Sequence, residues 1–437
     1  MSNSIIKVSL WGRTVGYLGY KNKDETTVTF EFDADFVSMP LELSPIVMNS
    51  KKLIHEFGDI SFNTFHGLPG IFADSLPDKY GNQLIDYFFA DKGKQPNDIT
   101  ALDRLAYIGK RGMGAFEYSP EENTGITMNG GKLDLHLLSE LAELVLSRND
   151  NFSKELANTS THQDALSIIR VGSSAGGARS KALVARDING NLFDGSVDAG
   201  NDKSYWLLKF DSKENSDRDK KDPKGMTKIE YIYSLIANDC GINIPKTDYI
   251  YDGKDFHFMI ERFDREIVEG KVRKKHYSSW AGLQHFDRDT TGAYSYEQIV
   301  TTMRDMNLGY NEIEEFFRRA VFNVVGRNQD DHAKNFGFQM DRNGKWALSP
   351  AFDMIFSYDT TGKWTKTHQI SLAGKREKFS REDLHRFANH CGLKKAKADE
   401  IIEKIIDSFG RFDVLSNEFE VDPELRDFVG KNLRILL

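Results

Sequence analysis

The chain has 437 residues, of which 39% are hydrophobic and 28% are charged, which is ordinary for a globular protein with two or three domains. The net charge of −8 argues against a broad basic surface for nucleic acid, and the two cysteines, Cys240 and Cys391, exclude a disulfide framework and a cysteine-rich zinc site. Because the sequence shows neither a secretory signal pattern nor a run of about 20 apolar residues, we expect a cytoplasmic protein.

The first 120 residues predict a small α+β subdomain. Residues 5–19 and 26–32 alternate apolar and polar side chains, which is typical of strands. Prolines within residues 67–90 then precede an amphipathic helix. Its apolar residues at helical spacing are Leu84, Ile85, Phe88 and Phe89. Because nothing here has catalytic spacing, we expect this subdomain to serve docking rather than chemistry.

A glycine- and serine-rich segment follows a helix predicted at residues 131–147. Residues 168–187 predict a strand, a loop of small residues and a second strand. Backbone N–H groups in such a loop can close on a phosphate, and nearby cations add attraction. The loop residues and cations are Gly172, Ser173, Ser174, Gly176, Gly177, Arg179 and Lys181. Ala178 stands where a Walker A loop has lysine, so a plain turn remains the alternative.

Lys209 lies inside the apolar strand pattern at residues 204–211. An unpaired buried ammonium group is costly, so Lys209 must point outward or have a partner. In the first interpretation it is an ordinary surface lysine on a strand. In the second it is the strand lysine that holds the ATP phosphates in kinases. Glu230, in a helix predicted at residues 227–240, is a possible partner, but a solvated acid near the helix start is the favoured interpretation.

The second half of the chain is mostly helical in pattern. Strands predicted at residues 249–251 and 257–266 precede a polar connector, where we expect a hinge between two lobes with adenine beside it. Residues 270–290 are basic, and we predict an irregular segment there. Helices are predicted at residues 381–390 and 398–409. A further helix, ending at a polar loop, is predicted by the apolar stripe Ile313, Phe316, Phe317, Ala320, Val321, Val324 and Val325.

The residues best suited to chemistry lie between residues 326 and 353. Asp330 and Asn335 are five apart in DDHAKN, the spacing of kinase catalytic loops, and Asp353 ends the motif SPAFD. Phosphoryl transfer to a hydroxyl uses one carboxylate to accept the proton, and an amide plus a second carboxylate to hold Mg²⁺ on ATP. The alternative is a polar loop between a helix and a hairpin, because Asp and Asn favour turns.

In combination, these motifs resemble the HipA family, the serine/threonine-kinase toxins of bacterial type II toxin–antitoxin pairs. The motifs RNQDDHAKNF, SPAFD, MIERFDR, GSSAGGARSK and LLKF occur in family order, and GLPGIFADSLPD resembles the family's amino-terminal subdomain. The resemblance implies an α+β, two-lobed protein-kinase-like fold related to lipid kinases. It implies an N-terminal α+β subdomain at residues 1–120, a kinase N-lobe at residues 121–265 and a mostly helical C-lobe at residues 266–437.

The resemblance also implies residue roles. Asp330 would be the catalytic base, and Asn335 and Asp353 would be the Mg²⁺ ligands. The implied nucleotide-binding residues are Gly176, Gly177, Ala178, Arg179, Ser180 and Lys181 over the phosphates, Lys209 on the phosphates, Glu261, Arg262 and Phe263 at the adenine hinge, and His332, Ala333, Lys334, Asn335, Phe352 and Asp353 around the pocket. Ser174 would be autophosphorylated, which switches the kinase off, and Ser173 is the adjacent alternative.

The residues and the resemblance agree on an ATP- and Mg²⁺-dependent kinase. The implied partners are a small helix-turn-helix antitoxin of the HipB type and a protein substrate such as an aminoacyl-tRNA synthetase, with DNA bound only through the antitoxin and no membrane. One alternative is a catalytically silent kinase fold that acts as a binding or co-repressor module, against which the retention of Lys209, Asp330, Asn335 and Asp353 argues. A small-molecule kinase is a further alternative, because these residues do not identify the acceptor.

Overall fold

The computed structural model describes residues 5–22, 25–77, 79–122, 132–146, 169–172, 179–211 and 223–436. Its first part contains a five-stranded antiparallel sheet in the order β4-β3-β2-β1-β5. The strands are β1 (Ile5–Leu10), β2 (Arg13–Gly19), β3 (Thr29–Phe32), β4 (Ile54–His55) and β5 (Phe116–Ser119). Alternate residues of β1 are buried, which confirms the predicted period of two.

Helices complete this first part of the chain. They are α1 (Ala34–Val37), α2 (Phe62–Phe65), α3 (Gly70–Ala73), α4 (Lys79–Asp91) and α5 (Ala101–Ile108). The predicted amphipathic helix is α4, and its four apolar residues are buried as expected. Helix α5 begins at Ala101 because Thr100 and Asp103 exchange reciprocal capping hydrogen bonds of 3.1 Å each.

The middle of the chain forms a six-stranded sheet in the order β10-β11-β9-β7-β8-β6. Its strands are β6 (Lys132–Leu133), β7 (Lys181–Arg186), β8 (Leu192–Asp194), β9 (Ser204–Lys209), β10 (Thr247–Tyr251) and β11 (Phe256–Glu261). Helices α6 (Leu135–Leu146) and α7 (Met226–Asp239) pack against this sheet. The strand predicted at the start of residues 168–187 is wrong, because residues 169–172 are helical. A short apolar run does not distinguish a strand from a buried helical turn.

The segment predicted to be irregular at residues 270–290 is instead regular. It contains strand β13 (Lys271–Lys274), which forms a hairpin with β12 (Arg265–Val268), followed by strand β14 (His276–Ser279) and helix α8 (Trp280–Gln284). Strand β14 joins β15 (Gly337–Met340) and β16 (Trp346–Leu348) in a three-stranded sheet. The prediction was wrong because charged residues on an exposed hairpin break the alternation by which strands are recognised.

Helices form the rest of the C-terminal part. They are α9 (Tyr296–Asp305), α10 (Tyr310–Val325), α11 (Arg381–Cys391), α12 (Lys395–Phe409), α13 (Phe412–Glu418) and α14 (Pro423–Asn432). The apolar stripe predicted on α10 is buried. A Cβ at Gly326 would lie 2.4 Å from the Phe409 ring, so glycine lets α10 end against α12 and begin the polar loop. Among the helices described, none has both the length and the apolar composition needed to cross a bilayer.

Candidate active site

A cleft of about 320 Å³ lies between the six-stranded sheet and the C-terminal part. Most of the residues expected at a nucleotide site line it together, although they come from five separate stretches of the chain. The predicted residues on its wall are Arg179, Lys181, Lys209, Glu261, Arg262, Phe263, Asp330, His332, Lys334, Asn335, Phe352 and Asp353. The structure therefore brings the predicted catalytic, metal-binding and hinge residues to one site.

Several predicted residues are not seen on this wall. Ser180 and Ala333 are buried and do not line the cleft. Ser180 instead accepts a backbone hydrogen bond from Phe210 at 3.1 Å, which ties the start of β7 to the end of β9. The remaining glycine-loop predictions lie outside the described residues: Ser173, Ser174, Gly176, Gly177 and Ala178.

Lys209, at the end of β9, lies between two carboxylates. Its ammonium group donates to Glu230 of α7 and to Asp353, and both Lys209 and Glu230 are buried. The favoured interpretation of Glu230 as a solvated acid, and the alternative of an outward-facing Lys209, are both wrong. Helix α7 packs against the sheet with Glu230 on its inner face, and a charge buried there requires a partner.

The charges of this group hold one another ionised. Burial alone would raise the pKa of Asp353, but the positive charges of Lys209 and Lys181 lower that pKa to about 2. Burial acts to lower the pKa of Lys209, and the two carboxylates beside it raise the pKa above its ordinary value. Asp353 also has a positive φ of 53°, which is uncommon for a residue with a side chain. The cleft therefore holds fixed charges of both signs.

The five-residue spacing of Asp330 and Asn335 closes into a compact loop. Asn335 ends a 3-10 turn, and its Nδ2 donates to the backbone oxygen of Asp330 at 2.6 Å. This bond leaves the Asn335 amide oxygen as the acceptor that a cation would need. The Asp330 carboxylate accepts from Gln369 Nε2 at 2.7 Å. Gln369 was not predicted, since it follows Asp330 by 39 residues and belongs to no local motif.

Asp331, next to Asp330, is buried and fixes the loop from behind. Its carboxylate accepts from the Tyr296 hydroxyl at 2.8 Å and from the Gln369 backbone N–H at 2.7 Å. It also lies 2.7 Å from His368 Nδ1. Asp331 thus anchors the loop, while Asp330 faces the cleft.

The hinge side of the cleft is aromatic. The ring centroids of Phe263, Tyr277 and Phe352 are 5.5 to 6.2 Å apart, and all three side chains line the cleft. Such a cluster offers flat apolar surface to a planar ring. The guanidinium of Arg262 is directed elsewhere, because it forms two hydrogen bonds of 2.8 to 2.9 Å with Asp264.

The cleft also has lining residues that were not predicted at the site, although Glu230 was considered as a partner of Lys209. They are Asp74, Leu76, Lys79 and Met113 from the first part, Leu207, Glu230 and Ile260 from the six-stranded sheet and its helix, and Tyr277, Ser279, Arg288, Asp289, Ile355, Ser357, Trp364, Thr365 and Gln369 from the C-terminal part. Four of them come from the subdomain expected to serve docking alone. No local pattern could have found them, since only tertiary packing brings them to the site.

The residues present fit a nucleotide with Mg²⁺. Within the described ranges no three His, Cys, Asp or Glu side chains form a metal-binding group. Mg²⁺ on a nucleotide needs only one or two protein ligands, because phosphates and water complete its shell. Asp353 and the Asn335 amide oxygen, which accepts no hydrogen bond within the described ranges, would be those ligands. His332 Nδ1 is buried with no hydrogen-bond partner among the described residues, as expected beside a ligand site.

Comparisons with known proteins agree with this geometry. The putative kinase Y4dM of Sinorhizobium fredii is 24% identical over 214 residues, which are 46% of this chain and 47% of that protein. The serine/threonine-protein kinase toxin HipA of Shewanella oneidensis is 22% identical over 143 residues, 29% of this chain and 33% of that protein. The chain therefore aligns with less than half of the length of each of these curated relatives.

A solved structure matches almost the whole chain. It is the complex of HipA, HipB and operator DNA from Shewanella oneidensis MR-1, with a TM-score of 0.67 and 15% identity, covering 98% of this chain and 94% of that one. This match confirms the predicted α+β, two-lobed, protein-kinase-like fold. Residues 6–119 match the HipA N-terminal domain and residues 173–411 match the HipA-like C-terminal domain. Because the second match alone covers more than half of the sequence, the chain belongs to the HipA family.

Proposed function

We propose that this protein is an ATP- and Mg²⁺-dependent serine/threonine protein kinase. The observation that carries the proposal is the joint placement of Lys209, Asp330, Asn335 and Asp353 on one cleft, with Glu230 paired to the lysine. Phosphoryl transfer requires little covalent chemistry from a protein, so fixed charges and positioned groups of this kind supply most of the catalysis.

Asp330 would accept the proton of a serine or threonine hydroxyl. The hydrogen bond from Gln369 orients the carboxylate through Oδ1, so the hydroxyl can donate to Oδ2. Lys209 would bind the nucleotide phosphates, since the carboxylates beside it keep it charged. Asn335 and Asp353 would hold Mg²⁺, which when bound neutralises phosphate charge.

Adenine would lie against the aromatic cluster of Phe263, Tyr277 and Phe352. Their ring centroids lie within 6.2 Å of one another, so the rings pack together and offer a purine an apolar surface on one side. Glu261 ends β11, and Arg262 and Phe263 follow it directly, so backbone groups of the hinge are close to this cluster. The cleft thereby provides separate apolar and charged ends for the two ends of ATP.

The finer points of the proposal concern regulation and partners. We propose that Ser174, with Ser173 as the alternative, is autophosphorylated. This modification would switch the kinase off, because a phosphate on the loop would repel the phosphates of ATP.

The partner proposed is a helix-turn-helix antitoxin of the HipB type, which would link the protein to DNA. This follows the solved complex of the Shewanella oneidensis protein with HipB and operator DNA. The proposed acceptor is a protein, with an aminoacyl-tRNA synthetase as the first candidate.

The direct test is phosphoryl transfer from labelled ATP by purified protein, compared with its Asp330→Asn variant. We expect transfer to be lost while Mg·ATP still binds, because the base acts on the acceptor and not on the nucleotide. The matched control is Asp341→Asn in the β15–β16 turn, where asparagine can still accept the local bonds from Asn343 and Lys345. Unchanged transfer by folded Asp330→Asn protein would refute the role of Asp330.

Mass spectrometry of the same reaction identifies the labelled residue. Phosphate on Ser174 or Ser173 supports self-modification, and an unlabelled chain beside a labelled protein acceptor contradicts it. No transfer to any protein, with Mg·ATP bound, favours the silent module. Label confined to small molecules favours a small-molecule kinase.

A further inference from the structure

Asp74 brings a carboxylate from the first part of the chain into the wall of the cleft. It follows α3 directly and lines the cleft beside Ser279 and Lys334. Its Oδ2 accepts from the Ser278 hydroxyl at 2.8 Å and from the Ser279 backbone N–H at 2.7 Å, and its Oδ1 accepts from the Ser279 hydroxyl at 2.7 Å. Three donors therefore fix the orientation of this carboxylate.

The backbone around Asp74 is packed closely enough to prevent its displacement. Helices α3 and α8 approach where both have glycine: a Cβ at Gly70 would lie 2.4 Å from the backbone oxygen of Gly282. A Cβ at Gly282 would lie 2.3 Å from Asp74 Oδ2. The carboxylate is thus held against the start of α8, and side chains are excluded from the contact.

The same start of α8 is bonded to the end of the loop that carries Asp330. Ser279 pairs with Gly337 across β14 and β15, and the Trp280 backbone N–H donates to Phe336 at 2.8 Å. Lys334 lies in the 3-10 turn just before these residues and lines the cleft. Asp74 and Lys334 therefore belong to elements that are held together rigidly.

Lys334 lines the same cleft as Asp74, and its positive charge acts on the Asp74 carboxyl. Burial raises the pKa of the Asp74 carboxyl above its ordinary value, and the positive charge of Lys334 opposes that rise. A carboxylate in the wall of a site for an anionic nucleotide works against binding of that nucleotide. The Asp74 carboxylate can nevertheless support nucleotide binding if it positions the ammonium group of Lys334 for the phosphates.

We propose that Asp74 is a positioning residue that holds Lys334 toward the phosphates of the bound nucleotide. The N-terminal subdomain is then part of the catalytic unit, and not only a docking module. The inference rests on the proposed kinase function. It assigns Asp74 no contact with the nucleotide, because its three hydrogen bonds direct it to Ser278 and Ser279.

The test is a double-mutant cycle of Asp74→Asn and Lys334→Met, read by kcat for transfer and by calorimetric Kd for Mg·ATP. Asparagine can still accept the bond from the Ser279 N–H, so the substitution removes mainly the charge. We expect Asp74→Asn to lower kcat about 10- to 100-fold through misplacement of Lys334, with Kd unchanged or smaller. In the Lys334→Met background, Asp74→Asn should cause no further loss of kcat.

The control is Asp289→Asn, which removes a second carboxylate from the same cleft wall. Asp289 is exposed and its partner is Arg288, so its effect should be the same with and without Lys334. If Asp74→Asn lowers kcat equally in both backgrounds, Asp74 does not act through Lys334 and the inference is wrong. An unchanged kcat in the single variant also overturns it.

Two further measurements keep the test decisive. If Asp74→Asn does not fold, Asp74→Glu displaces the charge instead, and the same coupling to Lys334 is expected. If the unsubstituted protein transfers no phosphate, the kinase proposal fails by itself. The cycle is then read from the Kd of Mg·AMPPNP, a non-hydrolysable nucleotide, where coupling of the two residues supports the inference and independent effects overturn it.

Discussion

Replacing Lys209 by methionine should separate the structural role of the lysine from its proposed role in phosphate binding. Lys209 donates to Glu230 and Asp353, and the exposed fractions of these side chains are 7%, 3% and 32%. Without the lysine, Glu230 is a buried carboxylate that has lost its paired cation. Asp353 is different, because a third of its side chain reaches solvent and water can hydrate its charge.

The expected change in unfolding free energy follows from this difference in burial between Glu230 and Asp353. Removing one partner of a buried ion pair costs about 3–5 kcal/mol of unfolding free energy, whereas replacing both partners by apolar residues is often neutral. We therefore expect Lys209→Met to destabilise the protein by about 3–5 kcal/mol. The double variant Lys209→Met/Glu230→Leu should return to within about 1 kcal/mol of the original protein. Neither variant should transfer phosphate, since both lack the phosphate-binding cation.

The assay combines urea unfolding, followed by tryptophan fluorescence, with transfer of labelled phosphate. The control is Lys203→Met, because Lys203 pairs with an exposed carboxylate, Asp202, and such surface pairs contribute about 0–1 kcal/mol. If the double variant is no more stable than Lys209→Met, the unpaired Glu230 carboxylate is not the cause of the lost stability. Transfer by the double variant would refute the role of Lys209 in phosphate binding.

Two further expectations concern the metal and pH. Asp353→Ala should weaken Mg²⁺-dependent ATP binding about 10-fold or more in calorimetric titrations, because Mg²⁺ loses a carboxylate ligand; equal affinity for Mg·ATP would contradict this. Burial lowers the pKa of His285 to about 4, and its Nε2 accepts from the Gly70 N–H at 3.0 Å. Because the unfolded chain protonates near pH 6.5, stability should fall below that pH, by up to about 2 kcal/mol at about pH 5. We expect the loss of stability between pH 8 and pH 5, measured by urea unfolding, to be smaller for His285→Gln than for the original protein. An equal loss would show that His285 is not the group responsible.

Local patterns were sufficient for the parts of the site that occur as short motifs. Asp330, Asn335 and Asp353 could be found because the chemistry requires fixed residue types at short spacing, and Lys209 because a cation interrupts an apolar strand. The same reasoning failed for Glu230. An acid near a helix start is favourable in water, and the sequence does not say which face of that helix packs against the sheet.

The residues that were missed depend on packing between distant segments. Tyr277 lies on β14, whose basic surroundings conceal the strand pattern, and it meets the hinge aromatics only after the sheet has formed. Asp74 reaches the cleft because glycines at positions 70 and 282 allow α3 and α8 to approach closely. Asp74 and Ser279 are 205 positions apart, and no periodicity within a window of about 11 to 18 residues reports such a contact.

The adjacent carboxylates Asp330 and Asp331 show how packing divides the roles of two chemically identical residues. Asp331 accepts from Tyr296 and from the Gln369 backbone, so its carboxylate is hydrogen-bonded inside the protein. In the described part of the chain, Asp330 accepts one side-chain hydrogen bond, from Gln369 Nε2. A general base must keep an acceptor atom available for the incoming hydroxyl. Asp330 meets that requirement and Asp331 does not, while Gln369 contacts both and thereby links the buried anchor to the proposed base.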